Sequence, residues 1–148
     1  MIILDANILI RAVLGTRVFD LIEKYASDVQ LLVPELALVE AEKYLPGLLV
    51  RRDPSEVRGL RRRDSGQALF NRLRTMLAIV PEDALLVFED AANERLRKRD
   101  PNDWPILAAS LALNCPIWTE DTDFFGTGVA TWTTDRVGIY LQSRATEE

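Results

Sequence analysis

Ile2-Ile3-Leu4-Asp5 puts three aliphatic residues in a row and an acid at their end. A short unbroken apolar run reads as a strand covered on both faces, the habit of a parallel sheet, and the acid then stands at the strand's carboxyl end. The pattern returns at Pro116–Thr119, which runs into Glu120-Asp121-Thr122-Asp123. Gln30–Val33, stopped by Pro34, Ala78–Val80, closed by Pro81, and Ala130–Thr133 read as the other strands. Between them the spacing predicts helices over Thr16–Ser27, Glu35–Leu45 (ended by Pro46-Gly47), Asp83–Leu96, Asp103–Leu113 with Asp103 as N-cap, and Thr134–Leu141. Leu48–Gly66 is expected to hold a helical piece flanked by loop, and Asp64-Ser65-Gly66 to open a helix with the stripe Leu69, Phe70, Leu73, Met76 and Leu77. About five strands joined by helices imply an α/β fold with a mostly parallel sheet covered on both sides. Such sheets bind ligands at the carboxyl edge, near a switch in strand order.

The chain has 148 residues, 48% of them hydrophobic, which suits one domain with one core. Residues 1–142 are expected to form it, with 143–148 as a polar tail. There is no long apolar run, and no basic stretch before a hydrophobic one, so neither a membrane span nor a signal peptide is expected. A lone cysteine, Cys115, allows no internal disulfide and fits a reducing cytoplasm. The absence of histidine removes Ser-His-Asp and Cys-His catalysis and argues against zinc. The net charge is −5, yet residues 51–74 carry eight arginines against three acids. Arg61-Arg62-Arg63 forms one basic cluster and Arg95, Arg97, Lys98 and Arg99 another, each suited to phosphates or, alternatively, to a solvated, salt-bridged surface or a face for an acidic partner.

The acids beside apolar segments carry the functional argument. Asp5 ends a strand, and Asn7 two residues on can orient it. Glu40 falls in the apolar pattern of Leu36 and Val39, whereas Glu42, about 200° around the helix, faces solvent. Asp103 precedes the very apolar Ile106-Leu107-Ala108-Ala109. Asp121 and Asp123 follow the strand whose Thr119 can hydrogen-bond a carboxylate. Each has a bland reading, as an Asx turn, a helix cap or an acidic surface loop. Brought together, they would need a cation, because desolvated like charges otherwise force protonation.

Leu4-Asp5-Ala6-Asn7, Val33-Pro34-Glu35-Leu36-Ala37-Leu38-Val39-Glu40, Asp100-Pro101-Asn102-Asp103-Trp104-Pro105-Ile106 and Thr119-Glu120-Asp121-Thr122-Asp123-Phe124 occur in that order and together resemble the PIN domain, in particular VapC-type toxins. The resemblance implies a PIN-like three-layer α/β/α fold. It places Asp5, Glu40, Asp103 and Asp121 on the family's catalytic and metal-binding acids, Asp123 on a frequent fifth, and Asn7 and Thr119 on the polar companions. Glu120 stands where a small residue is common. What is implied is a Mg²⁺- or Mn²⁺-dependent endoribonuclease, with RNA as substrate, an antitoxin protein as partner, and a homodimer built on an apolar face that includes Phe19, Ile22, Leu45 or Leu48. Arg61, Arg62, Arg63, Arg97, Lys98 and Arg99 are the expected RNA-backbone contacts. The alternative is a non-catalytic PIN-like module that binds RNA or protein. A doubly wound phosphatase fits less well, because position 7 is Asn and an Asp-x-Asp pattern is missing.

Overall fold

A computed structural model describes residues 1–52, 56–97 and 99–147, with side chains described outside 56–63. Five short strands, β1 (Ile2–Leu4), β2 (Leu31–Pro34), β3 (Ala78–Val80), β4 (Ile117–Trp118) and β5 (Thr131–Trp132), form one sheet in the order β3-β2-β1-β4-β5. Every pairing is parallel, with Ile3 opposite both Leu32 and Ile117. β1, β2 and β4 are buried along their whole length, which is why their sequences do not alternate. From β1 the chain adds strands on one side through β2 to β3, then crosses back to lay β4 on the other side of β1. The switch in strand order therefore falls between the ends of β1 and β4, where Asp5 and Thr119 stand.

The helices make this a three-layer α/β/α sandwich. α7 (Trp104–Leu113) lies across β1, β2 and β4, with α5 (Glu82–Leu85) and α6 (Glu89–Leu96) packed on it. It is apolar on every side, and Pro105–Ser110 are all buried. α1 (Ala6–Leu14), α3 (Glu35–Arg52) and α4 (Glu56–Thr75) pack on one another, and α2 (Arg17–Tyr25) meets α8 (Val137–Thr146).

Several elements depart from the sequence reading. α1 is not among the helices expected from the sequence: only Asp5-Ala6-Asn7 separates β1 from the apolar Ile8-Leu9-Ile10, so no loop-like stretch marks where the helix begins. α3 does not stop at Pro46-Gly47 but continues to Arg52 with Pro46 inside it. Leu45 and Leu49, one turn apart, are both buried, and that packing outweighs the lost backbone bond. α4 passes through Gly59 and Gly66 instead of opening at Asp64. A Cβ on Gly66 would come within 2.3 Å of Leu49 Cδ1, so this glycine lets α3 and α4 approach. The helix expected over Asp83–Leu96 is α5, a 3₁₀ turn (Leu86–Phe88) and α6 in series. α8 runs to Thr146, through most of the stretch expected as tail.

Of the residues suggested for a dimer's apolar face, three are internal and Leu48 is half-buried. Phe19, Ile22 and Leu45 belong to the core, because the helices carrying them pack on the rest of the domain. The large apolar side chains left exposed are others, among them Val39, Tyr44, Val87 and Ile139. Among the described residues no helix is long and apolar enough to cross a membrane.

Candidate metal centre

Asp5 leaves β1 and precedes α1, and its side chain is 6% exposed. Two donors meet one of its oxygens: Asn7 Nδ2 donates to Oδ2 at 3.1 Å, and Thr119 Oγ1 donates to the same atom at 2.7 Å. The Thr119 hydroxyl also accepts the Asp121 amide at 2.9 Å, so one fully buried hydroxyl joins the ends of β1 and β4. Asp121 Oδ1 in turn accepts the Asp123 amide at 2.9 Å, which caps a 3₁₀ turn over Thr122–Phe124 and turns both carboxylates to one side.

Asp103 arrives from a different direction. A 3₁₀ turn over Pro101–Asp103 runs straight into α7, and Asp100 rather than Asp103 caps it, accepting the Asn102 amide at 3.0 Å. Asp103 occupies the N-cap position of α7 but makes no side-chain cap bond. Its carboxylate is thus left for the site, near the positive end of the α7 dipole. Asp103 Oδ2 is buried with no hydrogen-bond partner.

Asp103, Asp121 and Asp123 each present a carboxylate oxygen, and these three atoms lie within 4.8 Å of one another. Asp5 and Glu40 stand outside that tight group. They share with Asp103 a cleft of about 280 Å³ whose apolar wall includes Leu36, Val39, Tyr44 and Trp104. Glu40 itself is exposed, at the mouth of this cleft rather than on a buried helix face. Asp103 is the residue common to the cleft and the cluster.

The electrostatics follow from burial and crowding. Burial is the main force that raises the Asp5 carboxyl to about 6; its bonds to Thr119 and the Ala6 amide oppose this, and Asp121 and Glu40 add to it. Burial also dominates at Asp103, which is raised to about 7 with further repulsion from Asp5, Asp121, Asp100 and Asp123. No described lysine or arginine forms an ion pair with any of these acids. The cleft-lining Lys43 instead places its ammonium 5.4 Å from the Tyr44 ring centre. An orphaned buried oxygen on Asp103, in a group of three carboxylates that have no ion pair among the described residues, fits a divalent cation. All-oxygen donors in a chain without histidine suit a hard ion such as Mg²⁺ or Mn²⁺.

Sequence reasoning missed the groups that hold the acidic loop. Arg99, just past the end of α6, donates from Nη1 to the Asp123 carbonyl, and Arg95 Nη1 donates to the Thr127 carbonyl at 2.9 Å. Gly126 and Gly128 take positive φ of 83° and 88° in this segment. A Cβ on Gly128 would fall 2.7 Å from Arg95 Nη1. Glu120 Oε1 accepts the Thr134 amide at 2.7 Å, and Trp118 Nε1 donates to the Thr134 hydroxyl at 3.1 Å, tying the segment after β5 to the site. Of the expected phosphate contacts, Arg97 is exposed and Arg99 is turned toward the loop. Lys98 and the side chains of Arg61, Arg62 and Arg63 lie outside the described residues.

This architecture has known counterparts. The chain resembles a chain in the crystal structure of VapBC2 from Rickettsia felis bound to a promoter DNA fragment, with TM-score 0.65, 16% identity, and 90% of this chain and 98% of that one covered. It also resembles a chain of FitAB bound to an IR36 DNA fragment, with TM-score 0.58, 21% identity and coverages of 90% and 95%. A chain of FitAcB from Neisseria gonorrhoeae gives TM-score 0.58, 20% identity and coverages of 90% and 98%. No curated protein sequence gives a significant match. The PIN domain family matches residues 3–142. With nearly its whole length accounted for by that match, the chain belongs to the PIN-domain family.

Proposed function

We propose that this PIN domain is a Mg²⁺- or Mn²⁺-dependent endoribonuclease and, on its likeness to VapBC2 and FitAB, the toxin of a toxin–antitoxin pair. The observation that carries the reading is the meeting of Asp103, Asp121 and Asp123 within 4.8 Å, beside buried Asp5 and without a described cationic partner. These residues would hold the cation, with Asp5 and Glu40 completing the site from the cleft side. A bound divalent ion supplies charge neutralisation at a phosphodiester and activation of water at neutral pH.

The chain's own groups do the rest. Asn7 and Thr119 spend their donors on Asp5 Oδ2, which fixes the carboxylate plane and leaves its other oxygen free of side-chain donors. Thr119 couples that plane to the Asp121 loop. In the absence of histidine, a carboxylate is the side chain available as general base. The cleft walls of Tyr44 and Trp104 offer aromatic faces on which an unpaired base can stack, which favours a single strand over a duplex.

The test is cleavage of single-stranded RNA by purified wild type, D5N and D121N with and without Mn²⁺, with the products sequenced. Wild type should cut only with the cation and leave 5′-phosphate ends. Both variants should remain folded and inactive, because each loses only a charge. Cleavage retained in either variant would refute the assignment.

A further inference from the structure

We propose that Arg11, Arg17 and Arg52 form a second subsite that grips a backbone phosphate of the RNA strand, beside the phosphate held at the acidic cluster; the identity of the ligand rests on the ribonuclease reading above. The three arginines line a hollow of about 430 Å³ together with Thr16, Val18 and Thr134. No described residue lining it is acidic, in a chain whose net charge is −5. None of the three forms an ion pair with a described residue. Arg52 gives one Nη to the Leu14 carbonyl, which tethers its guanidinium and leaves the remaining donors of the fork available. Arg17 also borders a neighbouring hollow that contains Asp20 and Asp135, so part of its charge is answered there.

Three guanidinium groups around one concavity repel one another, and an anion held between them relieves that repulsion. Phosphate is the anion their geometry matches, because a planar fork of N–H donors meets two oxygens at once. α2 adds to this. It begins at Arg17, and Thr16 makes no side-chain cap bond, so its hydroxyl and the free amides of the first turn are further donors at the rim.

Position selects a phosphodiester chain over an isolated anion. Thr134 lies two residues past the end of β5, on the sheet edge that carries Asp5 and Asp121, and its amide is bonded to Glu120, the neighbour of Asp121. Arg11 is six residues beyond Asp5, which is at most ~9 Å along the axis of α1. A strand with one phosphate at the acids therefore has others within reach of the hollow. Contacts of this kind hold the backbone and read no base. They also give a protein of negative net charge a local place to hold RNA.

The experiment measures binding of a 5′-labelled single-stranded RNA oligonucleotide by fluorescence anisotropy in EDTA, across a salt series. It uses wild type, the R11Q/R17Q double variant and an R144Q control. The double variant leaves Arg52 and its bond to Leu14 in place, and Mn²⁺ binding followed by EPR reports whether the acidic site is intact. For each phosphate it no longer grips, the double variant should bind RNA about fivefold more weakly near 0.1 M salt, with a salt slope reduced by about 0.7. Its Mn²⁺ affinity should match wild type, and R144Q should match wild type in every respect. RNA affinity and salt slope unchanged in R11Q/R17Q would overturn the subsite, as would stronger competition by poly-glutamate than by RNA, which would assign the hollow to an acidic partner segment. Wild type that binds Mn²⁺ but no RNA at low salt also overturns it. RNA held through these arginines but never cut refutes the nuclease reading alone.

Discussion

Thr119 and Asp5 stand 114 positions apart in the chain, and the threonine hydroxyl reaches the aspartate's Oδ2 at 2.7 Å while accepting the Asp121 amide at 2.9 Å. A fully buried hydroxyl used in both directions fixes two carboxylates at once and favours the ionised form of Asp5 against the cost of its burial. Replacing Thr119 by valine keeps the shape and removes both bonds. A hydrogen bond to a charged group contributes about 1.5–3 kcal/mol, so T119V should raise the Kd for Mn²⁺ at least about tenfold at pH 7. The pH at which Mn²⁺ binding is half-developed should also move upward. T119S should restore both quantities; Mn²⁺ titrations by calorimetry at several pH values provide the check.

Asp5 and Asp103 make the metal-free protein a poor fit to neutral pH. Both carboxyls are raised, Asp5 to about 6 and Asp103 to about 7, chiefly by burial, whereas in the unfolded chain they return to the ordinary value of 3.8. Between about pH 4 and 7 the folded state therefore holds protons that the unfolded state has released. Stability must then fall as pH rises through that window. The metal-free protein should melt at a lower temperature at pH 8 than at pH 5. Saturating Mg²⁺ or Mn²⁺ should recover most of the loss at pH 8 and little at pH 5, where the ligands are protonated. D103N should flatten the dependence, raise the metal-free melting temperature at pH 8 and abolish the metal response. Thermal melts across pH with EDTA or Mn²⁺ would reveal a contrary trend.

The parts of this fold that can be read from the sequence are those in which burial leaves a mark. Ile2-Ile3-Leu4 and Leu31-Leu32-Val33 read as strands because both faces are covered, and the acids after β1 and β4 read as a site because a carboxylate beside such a run is costly. α1 is hard to read for a related reason: its apolar residues begin at Ile8, so soon after Leu4 that the polar Asp5 and Asn7 read as the strand's end and not as a helix start. Pro46, Gly47 and Gly66 read as breaks because local propensity says so, yet the α3–α4 contact decides otherwise. Glu40 reads as buried from its apolar neighbours, but Val39 beside it is itself 54% exposed, on the wall of the cleft. The loop-holding roles of Arg95 and Arg99 leave no trace in spacing, because both act on carbonyl oxygens.

Those two arginines make a separable prediction. Arg99 donates to the carbonyl of Asp123 and Arg95 to that of Thr127, so the loop bearing two of the clustered acids is held at two points. R99Q should weaken Mn²⁺ binding about tenfold, the scale of one lost charge-assisted bond. R97Q, at an exposed position, should leave Mn²⁺ affinity unchanged and affect only RNA binding. G128A should resemble R99Q, because a Cβ at φ 88° meets the Arg95 guanidinium. EPR titration with Mn²⁺ distinguishes these outcomes, and equal loss in R97Q and R99Q would mean that both act through general charge.

The α3–α4 contact permits a test of packing that leaves the site alone. An alanine at an ordinary helix position in place of glycine stabilises by about 1 kcal/mol, so propensity alone predicts that G66A is the more stable protein. The structure predicts the opposite. The added Cβ would lie 2.3 Å from Leu49 Cδ1 and 3.2 Å from its Cγ, and Leu49 is only 3% exposed, so its side chain has little room to withdraw. Overpacking of this kind costs about 1–3 kcal/mol and exceeds the propensity gain over most of that range. G66A should therefore melt lower than wild type, by up to roughly 8 °C for a chain of this size, with Mn²⁺ affinity unchanged. In an L49A background the clash is gone, and the same G66A change should raise the melting temperature. A G66A protein more stable than wild type in the Leu49 background would mean that the two helices part readily. The close approach would then not be what keeps α3 helical past Pro46.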